Sequence, residues 1–372
     1  MARVKLGDVA REYKATIKNN AGLPIVGLEH LIPGEITLEQ WDTDTSNTFT
    51  KGFKKGHMLF GRRRAYLKKA ALAPFDGICS GDITVIEAIP GKMNPDLLPF
   101  IIQNDLLFDY AVGQSAGSLS PRVKWENLKE YEFELPELEK QYGLVELLKA
   151  AHRAKKAYQK QISATDELVK SQFIELFGDT SRYPCEPLNN NVLEMFIGPF
   201  GSSLKNDCFV PVEQGFCMVY EQKHAIQKTM ALETRFVDER KYNELKRFNV
   251  QGGDIIVSCR GTIGEIYALP DDAPMGIMHP SIMKIRLKKE RYDKSFFVFV
   301  LEQYMKAHMS EANGTAVKMA VSATTLGKEL FIVPNMDKQK EFVTFVQQSD
   351  KSKLTSKFNQ EVCICLQKPI LK

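Results

Sequence analysis

No run of apolar residues in this chain is long enough to cross a bilayer: the longest, Phe296 to Leu301, is far short of the roughly 20 residues a spanning helix needs. The opening residues, Met1-Ala2-Arg3-Val4-Lys5-Leu6-Gly7-Asp8, carry charge at once and have no apolar stretch behind them. No signal peptide is therefore expected, and neither is a membrane partner; the expected location is the cytoplasm. Cysteine is equally uninformative as a framework. The seven cysteines (79, 185, 208, 217, 259, 363 and 365) are an odd number without a Cys-x-x-Cys pair, which argues against a disulfide scaffold or a zinc site.

Catalytic signatures are also missing. There is no Gly-x-x-x-x-Gly-Lys-Ser/Thr loop to cradle a nucleotide, since the glycine cluster Gly261-Thr262-Ile263-Gly264 lacks the lysine, and no Gly-x-Gly-x-x-Gly fingerprint. An Asn/Asp-Pro-Pro-aromatic motif for methylating an amine is absent, Asn94-Pro95-Asp96-Leu97 being a half-match. A nuclease site would need paired carboxylates and a lysine to hold Mg²⁺, and neither Pro95-Asp96 nor Pro270-Asp271 continues in that way. The six histidines show no metal-binding spacing, and no Gly-x-Ser-x-Gly elbow accompanies them. The expectation is a binding protein that is not an enzyme and holds no cofactor or metal of its own.

What is present is a globular composition, with 44% hydrophobic and 26% charged residues over 372 positions, enough for two domains. The net charge of +4 is compatible with nucleic acid without requiring it, so the placement of the cations matters more than their number.

The chain resembles itself nearly 200 residues further along. Phe53 to Arg63 aligns with Val250 to Arg260 about the shared glycines Gly56 and Gly253, each copy giving a glycine turn, a short apolar strand and an arginine. Leu128 to Gln141 aligns with Leu326 to Gln339, each giving an alternating strand, a proline and a helix start. Weaker matches join Gly117-Ser118 to Gly314-Thr315, and Gly22 to Val26 to Gly215 to Val219.

After each copy the pattern changes to helical spacing. From Leu138 to Phe177, Leu144, Leu148, Ala151, Tyr158, Ile162, Thr165, Val169 and Leu176 form one seam, closed by Gly178. After the second copy, Phe342, Val346, Ser349, Leu354, Phe358, Val362 and Cys365 continue a looser seam until Pro369. Each seam must be buried, and the other helix is the obvious partner. An α+β fold is expected, in the order domain, helix, domain, helix at 1–136, 137–180, 181–334 and 335–372, with two similar domains and two long antiparallel, coiled-coil-like helices.

The sharpest basic cluster, Arg62-Arg63-Arg64-Ala65-Tyr66-Leu67-Lys68-Lys69, follows the first apolar strand; its counterpart in the second copy keeps Arg260 and Thr262. Arginine can bridge guanine O6 and N7, whereas lysine mostly meets phosphates. A second candidate is the loop carrying Ser118, Ser120, Arg122 and Lys124, with Thr315 and Lys318 in the other copy.

The stretches Gly198-Pro199-Phe200-Gly201-Ser202-Ser203-Leu204-Lys205, Val219-Tyr220-Glu221-Gln222-Lys223-His224-Ala225 and Gly253-Asp254-Ile255-Ile256-Val257-Ser258-Cys259-Arg260-Gly261, with the two proline helix starts, resemble type I restriction-modification specificity subunits over essentially the whole chain. The resemblance implies a non-catalytic subunit that reads two short half-sites of double-stranded DNA across a fixed gap, one per recognition domain. It also implies docking of two methylation subunits, which use S-adenosylmethionine, and of restriction subunits, which use ATP and Mg²⁺. Ser202, Ser203 and Lys205 join the DNA-contact candidates on this ground. The first domain departs from the pattern by lacking the Gly-Pro-Phe-Gly-Ser stretch. Two other readings stand beside it: the recognition half of a different methyltransferase or restriction system, and a helical scaffold that binds no DNA.

Overall fold

The computed structural model describes residues 2–17, 22–43, 47–312 and 322–367; the candidates Thr315 and Lys318 lie outside them. The chain divides into two compact units, the first made of residues up to 163 together with those from 354 onward, the second of residues 164–353.

The strands of the first unit are β1 (Ala2–Lys5), β2 (Ala10–Glu12), β3 (Ile25–Val26), β4 (Lys51–Phe53), β5 (Met58–Gly61), β6 (Ala70–Leu72), β7 (Gly77–Cys79), β8 (Ile83–Ala88) and β9 (Glu132–Leu135). The second unit carries β10 (Cys185–Pro187), β11 (Val192–Ile197), β12 (Cys217–Tyr220), β13 (Phe236–Val237), β14 (Asn249–Val250), β15 (Ile255–Ser258), β16 (Ile266–Ala268), β17 (Gly276–Met278), β18 (Ile282–Leu287) and β19 (Leu330–Ile332). Sheet order in the first unit is β2-β8-β5-β6, β3-β7-β4 and β1-β9; in the second it is β11-β18-β15-β16, β13-β12-β17-β14 and β10-β19. The plan is the same twice, with β13 added. Even the exception repeats, because β3–β7 and β12–β17 are the parallel pairings in otherwise antiparallel sheets.

The central strand explains why the duplication was visible as an apolar run. Met58 and Phe60 enter one core, with Ile86 and Phe108, while Leu59 enters the other, with Val26 and Val85. β15 divides in the same way, Ile255 and Val257 to one side and Ile256 to the other. A strand buried on both faces must be apolar throughout. It is preceded by glycines that both need positive φ, 86° at Gly56 and 84° at Gly253. The next residue then takes a turn N–H: Lys54 N donates to His57 Nδ1 (3.1 Å) and Gln251 N to Asp254 Oδ2 (3.0 Å). Each of these residues also reaches across to the neighbouring strand, His57 to Glu87 (3.4 Å) and Asp254 to Arg286 (2.6 Å); burial lowers the pKa of His57, so only the second is a firm ion pair.

The weakest sequence match is one residue out of register. β3 and β12 meet equivalent strands through Ile25↔Ile78 and Val219↔Ile277, so Ile25 corresponds to Val219, where the sequence alignment sets Val26. A two-residue strand is too short to fix its own alignment.

Each unit is latched to its long helix by a glutamine. Gln141 and Gln339 are almost wholly buried, at 1% and 0% exposure. Gln141 donates to the Pro136 carbonyl (2.8 Å) and accepts from Asn94 N (2.8 Å). Gln339 donates to the Pro334 and Arg291 carbonyls (2.8 and 3.0 Å) and accepts from Asp293 N (2.8 Å). Replacing either with Leu strands backbone groups in the interior, and a loss of about 1–3 kcal/mol is expected in chemical unfolding. Equal stability of Gln141→Leu and the native chain would show that the latch does not matter.

The central helix runs Leu138–Phe177, and every seam residue expected from spacing is buried or half-buried. Gly178 ends it by close approach, since a Cβ there would collide with the Ile174 carbonyl. The distal helix runs Met336–Gln367; Pro369 lies outside the described residues. In the second unit Phe173 packs on Phe342 and Asp166 pairs with Lys353 (2.5 Å), so the two helices run antiparallel. The distal seam differs from the expected one. Phe342, Val346 and Ser349 face inward, but the series continues through Lys353, Ser356, Gln360 and Cys363, while Leu354 and Phe358 are each 66% exposed and Val362 is 42% exposed. Spacing of four, three, four and three keeps a coiled-coil stripe, and apolar residues one step away fall off it.

Candidate nucleic-acid interface

In the first unit the chain leaves β5 at Gly61 and immediately meets two other segments. Arg62 N donates to the Asp82 carbonyl (3.0 Å), Val123 N to the Arg62 carbonyl (3.0 Å) and Arg64 N to the Pro121 carbonyl (2.8 Å). The loop bearing Ser118, Ser120, Arg122 and Lys124 is thereby laid alongside Arg62–Arg64, with an antiparallel bridge between Arg63 and Arg122. Two candidate segments some 60 residues apart in sequence become one surface. Ser118 and Lys124 are exposed on it, and Gly117 takes φ 112° to turn the loop.

Asp82 sits among these cations. Its carboxylate accepts from Arg122 Nε (2.7 Å) and Nη2 (3.2 Å) and from Arg63 Nη1 (3.5 Å). Arg63 Nη2 also donates to Ser120 Oγ (3.2 Å). The hydrogen bonds from Arg122 hold the Asp82 carboxyl below the ordinary aspartate range and raise Arg122 in turn. Asp82 went unnoticed in the sequence. Its signal is positional: it ends the turn before β8, which pairs Gly61 with Ile83 and so brings the turn to the end of the sheet where the arginines emerge.

Beyond Arg63 the cluster divides. Arg64 and Lys68 both adopt left-handed backbone, φ 54° and 51°, bracketing one tight turn, Ala65–Leu67, that buries Ala65 and leaves Tyr66 53% exposed. Arg64 is exposed as well. Lys68 Nζ, by contrast, is bound to Asp105 (2.6 Å) and Lys69 Nζ to the Leu28 carbonyl (2.6 Å). These two lysines are engaged in the fold, and no spacing argument could have found partners that distant.

The second unit builds its surface differently. Gly198 N donates to the Ile282 carbonyl (3.0 Å), and a Cβ at Gly198 would run into the His279 carbonyl. Ser258, the last residue of β15, pairs with the same Ile282. The loop holding Ser202, Ser203 and Lys205 and the loop holding Arg260 and Thr262 therefore leave one end of one sheet. Phe200 is 86% exposed at the first loop. The second is tightened by Ser258, whose Oγ donates to the Thr262 carbonyl (2.6 Å) and accepts from Glu265 N (3.0 Å), with Gly261 and Gly264 at positive φ. Arg260 and Thr262 are exposed, and the Arg260 side chain has no hydrogen bond or ion pair among the described residues. Position 281, which follows β17 as Asp82 follows β7, is a serine whose Oγ lies 2.8 Å from His279 Nδ1. Burial lowers the pKa of His279.

The sequence model of the type I restriction modification DNA specificity domain matches residues 1–165 and 217–363, one segment for each copy of the plan. The chain belongs to that family. The Gly198 to Lys205 stretch falls between the two matched segments of this specificity chain. No curated protein is similar to it in sequence. Among solved structures it is similar to a chain described under the structural basis of complex assembly and conformational transition of the type I R-M system, at TM-score 0.59 and 14% identity, covering 98% of this chain and 95% of that one. It is also similar to the type I restriction-modification S subunit from M. genitalium, at TM-score 0.53 and 13% identity, covering 98% and 93%. At these identities the likeness concerns the fold. No described helix is long and apolar enough to cross a membrane, and no cluster of three or more possible metal ligands occurs among the described residues.

Proposed function

We propose that this specificity chain reads a two-part target in double-stranded DNA, one half-site per unit, and carries that specificity to two methylation subunits and to restriction subunits. S-adenosylmethionine, ATP and Mg²⁺ belong to those partners in this reading. The observation that carries it is the duplicated sheet, from which the equivalent arginines Arg63 and Arg260 emerge just beyond β5 and β15. Arg64, Tyr66, Ser118, Ser120, Arg122 and Lys124 complete the first reader; Ser202, Ser203, Lys205 and Thr262 complete the second. The exposed stripe Leu354, Phe358 and Val362 on the distal helix suits a docked methylation subunit better than solvent.

Arginine truncation tests the division of labour. With methylation subunits added, Arg63→Ala should cost about 1–3 kcal/mol of discrimination at one half-site and Arg260→Ala a similar amount at the other. Binding titrations on duplexes altered in one half-site measure this. Lys68→Ala should change the salt slope by less than one phosphate contact, because its ammonium is held by Asp105 and is not presented to a phosphate. Both arginine changes acting on the same half-site would defeat the reading.

A further inference from the structure

We propose that Asp82 is a positioning residue of the first reader, holding Arg63 and Arg122 so that their remaining N–H groups meet one base edge in one orientation. This rests on the proposed reading of DNA half-sites. A carboxylate is a poor neighbour for a phosphate backbone, and Asp82 stands among Arg62, Arg63 and Arg122, where it lowers the charge available for unspecific attraction. Its geometry serves alignment instead. Both of its oxygens are taken by Arg122 (2.7 and 3.2 Å), the second also by Arg63 Nη1 (3.5 Å), and Ser120 Oγ steadies Arg63 Nη2 (3.2 Å). The Asp82 side chain is 18% exposed, whereas those of Arg63 and Arg122 are 38% and 40% exposed, so the clamp lies beneath the groups it aims. Arg122 Nη1 also donates to the Ser120 carbonyl (3.5 Å). Each terminal nitrogen carries a second N–H beyond these bonds, and those are the donors left for the paired acceptors of a guanine.

Among the described residues of the second unit, no carboxylate holds the equivalent arginine. Ser281 occupies the position of Asp82 and bonds His279, and Arg260 has no clamp among the described residues. The effect is accordingly confined to one half-site.

The test uses the full chain assembled with the methylation subunit of its host, on duplexes carrying the motif methylated in that host. Asp82→Asn should bind unspecific DNA more tightly, with a steeper salt dependence by about one contact. Discrimination at the first half-site should fall roughly 5- to 150-fold, the share of one bidentate base contact, while the second half-site is read as before. Ser120→Ala removes the other anchor of Arg63 without changing charge; it should give a smaller loss at the same half-site and no change in salt slope, and it carries the test if Asp82→Asn does not fold. A native chain that discriminates, together with variants that discriminate equally well or fail equally at both half-sites, overturns the role of Asp82 alone. A native complex with no sequence preference overturns the proposed function as well.

Discussion

Phe342→Ala should destabilise the second unit by about 3–5 kcal/mol, the range for emptying a buried aromatic site, and lower its melting temperature by roughly 6–20 °C. Phe342 is fully buried, and its ring lies 5.4 and 5.9 Å from Phe173 and Phe177 of the central helix and 6.0 and 4.9 Å from Phe296 and Phe299 of the helix Lys294–Ala312. One side chain thus joins three helices over the sheet, and no single neighbour can move to fill the hole. Phe358→Ala is the matched control. It lies on the same helix but is 66% exposed, and a change within about 0.5 kcal/mol is expected. Thermal unfolding of both variants decides whether the seam runs through Lys353, Ser356 and Gln360 or through Leu354 and Phe358.

The second large effect concerns the gap that the proposed function places between half-sites. Seven residues inserted between Ser163 and Ala164 and seven between Lys353 and Leu354 should lengthen the unread gap of the target by about three base pairs and leave both half-sites unchanged. These are the positions at which both long helices pass from one unit to the other. Seven residues restore the spacing of four and three along the seam with a rotation of only about 20°, whereas four would turn it off the partner helix. The added length is about 10 Å at 1.5 Å per residue, against 3.4 Å per base pair. Sequencing of methylated sites in cells carrying the inserted variant reads the result. An active variant with the original gap would show that helix length does not set the spacing.

Much of this architecture could be read from the chain itself because long periodic signals accumulate. The central helix carries one seam over its whole length, and the strands β5 and β15 are apolar on both faces, so spacing and composition agree with packing there. The distal helix shows where such reading fails. After Ser349 two stripes compete, Leu354, Phe358 and Val362 against Lys353, Ser356, Gln360 and Cys363, and hydrophobicity favours the wrong one. What decides is continuity with Phe342 and Val346, helped by Lys353, whose stem can lie inward while its ammonium reaches Asp166. At the candidate site, Arg63 and Arg260 are legible as cations just past a buried strand. Asp82, the pairing of Lys68 with Asp105 and the hold of Lys69 on the Leu28 carbonyl are not, because each depends on contacts between segments well separated in sequence.

The most direct measurement of the central claim is a map of DNA methylation in the host with and without this chain, repeated with Arg63→Ala and with Arg260→Ala. A motif of two short half-sites across a fixed gap should vanish with the chain, and each arginine variant should relax a different half. Methylation that persists without the chain, or a motif with no gap, would contradict the account.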